Sequence, residues 1–185
     1  MDFKRTKEII IDFAEEVVRL AKRNAQKQKV SGELKRSISY REDVSPKGSF
    51  ELDFMMLKYG KYQDAGVDGV INKRGKRKYN LPTYKYKRKG GPDSLQGMPP
   101  IAPLQKWANK KRLRLRNKET GRFMKGGQKT LAFLIARNIF YKGLKPTYFF
   151  TEAFEKAYKK LPQEFLDAYA LDTGDFIEFT MKNIK

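Results

Sequence analysis

The segment Val30-Ser31-Gly32-Glu33-Leu34-Lys35-Arg36-Ser37-Ile38-Ser39 decides how this chain folds, because it joins two stretches of different period. Before it, Phe3 to Gln28 carries Ile10, Phe13, Ala14, Val17, Leu20 and Ala21 at i, i+3, i+4 and i+7 spacing, the apolar stripe of one long helix. After it, Ile38 and Tyr40 open an alternation of apolar and polar residues, the mark of a strand. Gly32 tolerates the left-handed backbone with which helices often end. The ten residues are therefore expected to end a helix at Gly32 and begin a strand at Ile38.

Downstream, Ser45-Pro46-Lys47-Gly48 has turn chemistry, and Phe50, Leu52 and Phe54 alternate with Ser49, Glu51 and Asp53. That predicts a hairpin with one apolar and one wet face, and it is the natural partner for the helical stripe. Met56, Tyr59 and Tyr62 have helical spacing, and Gly66 can stop a short helix. Pro99-Pro100-Ile101-Ala102-Pro103 halts the chain before a helix whose apolar face is Leu104, Trp107 and Ala108 with Lys111, and Trp107 is expected in the core. Thr130 to Tyr141 predicts a helix with Leu131, Leu134, Ile135, Asn138 and Ile139 on one face, stopped by Gly143. Thr151 is the expected N-cap of a helix that buries Phe154, Ala157, Tyr158 and Leu161. Pro162 kinks or restarts it, and Phe165, Leu166 and Tyr169 continue it. Thr173-Gly174 reads as a turn, and Ile177, Phe179 and Met181 alternate as a last strand over Asp175 to Met181.

Composition narrows function. The 185 residues contain no cysteine and no histidine. Disulfides, thiolate metal sites, imidazole ligands and every His-based triad are excluded, and the lack of cysteine fits folding in a reducing cytoplasm. No run of 18 apolar residues offers a membrane span, and the charged start, Met1 to Lys7, lacks the apolar core of a signal peptide. Net charge is +20, and it is concentrated: Val70 to Lys129 holds 19 Lys and Arg against 2 acids, while the rest holds 22 against 19. A nearly balanced domain thus carries one intensely basic segment, suited to a polyanion or to an acidic protein surface.

Within that segment Lys73, Arg74, Lys76, Arg77, Lys78, Lys85, Lys87, Arg88 and Lys89 are the candidate contacts for a polyanion or a neighbouring subunit. Tyr79, Tyr84 and Tyr86 are interleaved with them and could stack on bases. No apolar period is evident there, and a long loop or extended arm is expected, with a second basic loop over Asn117 to Gly127. Gly90-Gly91 and Gly126-Gly127 match no phosphate-loop pattern and read as hinges, although the second pair precedes a helix. Glu42, Asp43, Glu51 and Asp53 could gather a Mg²⁺ from the two hairpin arms, but paired acids on a wet face balanced by Lys35 and Arg36 are the simpler reading. No catalytic, cofactor or metal residue is assigned, and the chain is not read as an enzyme.

Three stretches in order resemble the tail-completion (neck) proteins of long-tailed bacteriophages. The first is Val30 to Ile38 between a long helix and a hairpin. The second is Tyr59-Gly60-Lys61-Tyr62-Gln63-Asp64-Ala65-Gly66. The third is Lys145-Pro146-Thr147-Tyr148-Phe149-Phe150-Thr151-Glu152-Ala153-Phe154, which in that family opens the last helix. The Pro-Pro-Ile and Trp107 helix resembles a piece found in the family's longer members. The resemblance implies a virion structural protein, assembled in the host cytoplasm into a homo-oligomeric ring between head and tail. Its partners would be copies of itself, neighbouring connector and tail proteins, and packaged double-stranded DNA in the channel.

The expected fold class is α+β: a long N-terminal and a C-terminal helix packed on a small antiparallel sheet of about four strands, with a long basic loop and a two-helix insertion. One domain is expected over 1–185, with its core in 1–67 and 144–185 and the basic arm and helices in 68–143. The alternative function is a non-enzymatic, sequence-nonspecific nucleic-acid-binding protein. A Mg²⁺ nuclease is a third reading.

Overall fold

A computed structural model describes residues 3–28, 31–44, 50–71, 78–91, 94–124 and 126–183. In chain order the elements are α1 (Lys4–Lys27), α2 (Gly32–Ser37), β1 (Ser39–Val44), β2 (Phe50–Met55), α3 (Gly60–Ala65), β3 (Val67–Asp68) and β4 (Tyr84–Lys85). There follow α4 (Ile101–Lys110), α5 (Gln128–Lys142), β5 (Gly143–Leu144), α6 (Thr151–Tyr158) and α7 (Leu161–Asn183). The fold is α+β, with long terminal helices and small sheets. It divides into two compact units, Met1–Asp64 with Thr147–Lys185, and Ala65–Pro146.

In the first unit the predicted stripe of α1 is the core. Phe13, Ala14, Val17, Leu20 and Ala21 are buried. The stripe packs against α6 and α7 as well as the hairpin, so the hairpin is only part of its partner. One cluster joins Leu20, Ala21 and Ala25 to Leu34, Ile38, Phe149 and Ala153. A second joins Phe13, Val17 and Ala157 to Leu52, Phe54, Phe150 and Phe154. The phenylalanines meet in edge-to-face ring pairs such as Phe13–Phe54 at 6.2 Å.

β1 and β2 pair antiparallel with Tyr40 opposite Phe54 and Arg41 opposite Asp53. The expected register therefore holds, although the turn at 45–48 lies outside the described residues. The quoted segment folds differently from expectation. Gly32 does not end α1; it begins α2, a short helix N-capped by Ser31, whose Oγ accepts the Leu34 N–H at 3.2 Å. Ser31 satisfies the free N–H groups of a new helix, which no left-handed glycine could do. Val30 lies outside the described residues.

The C-terminus also departs from expectation. Thr173-Gly174 is not a turn and Asp175 to Met181 is not a strand, for α7 runs unbroken to Asn183. Thr173 and Thr180 donate their hydroxyls to the carbonyls of Tyr169 and Phe176, one turn back, and Lys182 pairs with Glu178. The alternating Ile177, Phe179 and Met181 stand in solvent, so no sheet face rewards a strand there. Pro162 sits in the first turn of α7, where its missing N–H costs nothing, so it restarts the helix. Tyr158, Leu166 and Tyr169 are exposed rather than buried.

In the second unit β3 pairs parallel with β4 and antiparallel with β5. The strands thus form two sheets of two and three, not one antiparallel sheet of four. α4 packs on α5, whose buried line is Ala132, Ala136 and Phe140, leaving Leu134 and Asn138 exposed. The buried line of α5 is thus rotated from the expected face of Leu131, Leu134, Ile135, Asn138 and Ile139. Trp107 is 47% exposed, and Ala108 beside it is buried. Gly143 ends α5 with φ +77, as its position implied.

Candidate polyanion and subunit-contact site

The three stretches that carry the family resemblance come together in the first unit. Leu34 and Ile38 of the first share a cluster with Phe149 and Ala153 of the third. The hydroxyls of Ser31 and Tyr59 share a hydrogen bond of 2.6 Å, joining the first to the second. Between second and third, the Asp64 carboxylate accepts the N–H groups of Phe150 and Thr151, at 2.8 and 3.3 Å, and the Thr151 hydroxyl. Thr147 donates its N–H and its hydroxyl to the Gln63 carbonyl, at 3.0 and 2.8 Å. Thr151 therefore does not cap α6. Asp64, 87 residues earlier, instead accepts the N–H of Thr151, the first residue of α6, and of Phe150 just before it, whereas a Thr151 side chain would serve N–H groups further into the helix.

The second unit holds the charge. Ala65–Pro146 contains 22 Lys and Arg against 3 acids, a net +19, while the remainder contains 19 against 18, a net +1. Of the candidate contacts, Lys73, Arg74, Lys76 and Arg77 lie outside the described residues. Lys78 is exposed, with Nζ 5.1 Å from the Tyr79 ring. The remaining four lie in the two-residue strand β4 or in the irregular stretch after it, in keeping with the expected loop or extended arm. Lys85, Lys87 and Lys89 are exposed, and Tyr84, Tyr86 and Arg88 between them are half-buried. This period of two was in the sequence, hidden because the inward residues are tyrosines and an arginine rather than aliphatics.

The inward side chains are committed to packing. Tyr86 meets Phe140 edge-on at 6.0 Å, and burial pushes its phenol above the ordinary range. The Arg88 guanidinium lies 5.9 Å from the Tyr141 ring centroid. Tyr86 is thus half-buried against Phe140, with less of its ring open to a stacked base. Lys89 N–H donates to Gln96 O at 3.1 Å, closing the segment on itself before α4.

Of the hairpin acids, Asp43 and Glu51 stand opposite one another across the two strands, while Glu42 and Asp53 pair with cations. Arg41 pairs with Asp53 at 3.0 Å and Lys7 with Glu42 at 3.5 Å, while Lys35 donates to Gln26 instead. Among the described residues no three His, Cys, Asp or Glu side chains are grouped to hold a metal ion. No helix among them is long and apolar enough to cross a membrane.

Two functional-looking groups escaped the sequence reading. Asp172 is buried, accepting the N–H and hydroxyl of Thr6 at 2.9 and 2.8 Å and a bond from Arg5 at 3.2 Å. The other is the ribbon pairing of Leu115 to Arg116 with Phe123 to Met124; the sequence marked a basic loop over Asn117 to Gly127, and the alternation Leu113-Arg114-Leu115-Arg116 before it was the signal for the paired arm.

No family model, curated protein or solved structure matches the chain.

Proposed function

We propose that this chain is a virion structural protein of a tailed bacteriophage, a ring-forming tail-completion or neck component that joins head to tail. The observation that carries this reading is the meeting of the three resembling stretches at Leu34, Tyr59 and Asp64, far apart in sequence. Residues spaced along a chain that jointly build one junction are what a shared fold would preserve. The work of such a protein is assembly, not catalysis. Closing a ring needs two different, complementary faces on each subunit. The two units differ by 18 charges, which supports such an asymmetry. Copies of itself and the adjoining connector and tail proteins would be its partners.

Quantitative mass spectrometry of purified particles, counting this chain against the portal protein, tests the proposal. A small fixed copy number comparable to the portal's is expected. Absence from particles while the protein is abundant in infected cells would overturn it. A second test is limited proteolysis: free subunits should be cut between Lys73 and Lys89, and assembled ones protected.

A second reading, a sequence-nonspecific nucleic-acid-binding protein, is favoured by the exposed row of Lys85, Lys87 and Lys89 in a unit of net +19. Cations in a row displace counterions from a phosphate backbone, so affinity would fall steeply with salt.

A further inference from the structure

We infer that the ribbon joining α4 to α5, Leu113 to Met124, is a docking site for the phosphate backbone of double-stranded DNA, with Arg114 and Arg116 as its contact residues. This deepens the nucleic-acid reading above and is independent of a place in a neck.

The ribbon is a built feature. Met124 N–H donates to Leu115 O and Asn117 N–H to Arg122 O, both at 2.9 Å, around a bridge between Arg116 and Phe123. At its tip Asn117 Oδ1 accepts the N–H groups of Glu119 and Thr120, at 2.8 and 3.2 Å. At its root Gln128 in the first turn of α5 donates to Leu113 O at 3.3 Å.

Directly opposed residues share a face, so Arg116 and Phe123 project together, and Arg114 joins them two residues back. All three are exposed. The Arg116 guanidinium sits 4.6 Å from the Phe123 ring centroid. A guanidinium held against a ring loses rotamer freedom yet keeps N–H donors for an anion, and its fork matches a phosphate. Arg114 is about 6.8 Å further along the extended strand, so each arginine can reach its own phosphate. Among the described residues neither arginine is paired with a carboxylate, and Glu119 at the tip is the one acid of the ribbon.

Arg112, just before the ribbon, points the same way. Leu113 N–H donates to Ala108 O and Arg112 N–H to Asn109 O, the bond pair that closes a helix through a left-handed residue. Glycine is usual there, but Arg112 occupies it with φ +53. A left-handed arginine costs about 1–2 kcal/mol, and no hydrogen bond or ion pair of its side chain offsets it among the described residues. The Arg116 guanidinium lies against the Phe123 ring, which stays 54% exposed, so recognition rests on the two guanidinium groups and their match to phosphates.

Fluorescence anisotropy of a short labelled duplex with the full chain over a salt series tests the site. Arg114→Gln/Arg116→Gln should flatten the slope of log affinity against log salt by about 1.8, at about 0.9 for each phosphate contact. Phe123→Leu should weaken binding with the slope unchanged, which bulk charge alone would not do. If the double variant binds like the parent while Lys85→Gln/Lys87→Gln/Lys89→Gln loses binding, the site is wrong and the nucleic-acid reading stands. If the parent chain does not bind duplex at low salt, both fall. If polyglutamate displaces the duplex as well as unlabelled DNA does, the ribbon reads acidic protein and the inference is overturned. All three side chains of the ribbon variants are exposed, and an unchanged circular dichroism spectrum verifies the fold.

Discussion

Asp64 and Thr151 are bound through a side chain to side chain hydrogen bond across 87 residues of sequence, and the same carboxylate accepts the Thr151 N–H at 3.3 Å. One buried group therefore both starts α6 and fixes it to the end of α3. Asp64→Ala would leave the Phe150 and Thr151 N–H groups and a hydroxyl without their acceptor. A loss of about 3 kcal/mol is expected, combining a lost cap with unsatisfied partly buried donors. In thermal melting that is a fall of roughly 6–12 °C for a chain of this size. Asp64→Asn, which keeps one acceptor oxygen, should lose less; equal losses would show that the carboxylate's second oxygen carries the junction.

Asp172 contributes pH-dependent stability to the first unit. Burial alone would push its carboxyl up, but the hydrogen bonds from Thr6 and Arg5 together hold it below the usual carboxylate range. A folded-state value below the unfolded one adds stability that is fully present above the unfolded pKa, near 3.8, and is lost as pH falls through the folded value. Asp172→Asn should therefore be less stable than the parent at pH 7, and the difference should shrink below about pH 4. Urea titrations at pH 7 and pH 3 measure the gap; a gap that does not change with pH would refute the linkage.

Gly174 separates a helical C-terminus from a turn followed by a strand. It lies inside α7, outside the left-handed region, and a Cβ there would meet nothing within 4 Å. Gly174→Ala is expected to raise stability by about 0.5–1 kcal/mol through a less flexible unfolded chain and better helix propensity. A decrease would argue for a glycine-dependent turn. The readout is the denaturation midpoint with the helical circular dichroism signal.

Leu52 tests the hairpin register. It is half-buried on the second core cluster, between Phe50 and Phe54 on the apolar face of β2. Leu52→Asp buries an unpaired charge in place of an aliphatic side chain, and a loss of about 3 kcal/mol or more is expected. The exposed neighbour Glu51→Gln should change stability by under about 0.5 kcal/mol. Similar melting of Leu52→Asp and the parent would sink the register.

Much of the local structure was legible in residue order. The stripe of α1, the alternation of Phe50, Leu52 and Phe54, and the glycine at 143 each depend on neighbours within one turn or one strand, and periodicity reports such local constraints directly. The candidate contacts were legible as charge but not as arrangement. Lys85, Lys87 and Lys89 became a row only because Tyr86 and Arg88 turn toward Phe140 and Tyr141. Tyrosine and arginine count as polar in a pattern reading, yet both can bury an apolar body.

The sequence by itself determined the absence of thiol and imidazole chemistry, the segregation of charge and the long amphipathic helix, since these follow from residue identity and local spacing. Only the tertiary structure decided that Ser31 begins a helix where Gly32 seemed to end one, and that Asp64 rather than Thr151 caps α6. It alone decided that Ile177, Phe179 and Met181 ride a helix. In each case two local conformations lie within a kcal/mol or so of each other, about the span of intrinsic propensity. A partner far along the chain tips the balance: Tyr59 for Ser31, Asp64 for α6, and Thr6 holding Asp172 for α7.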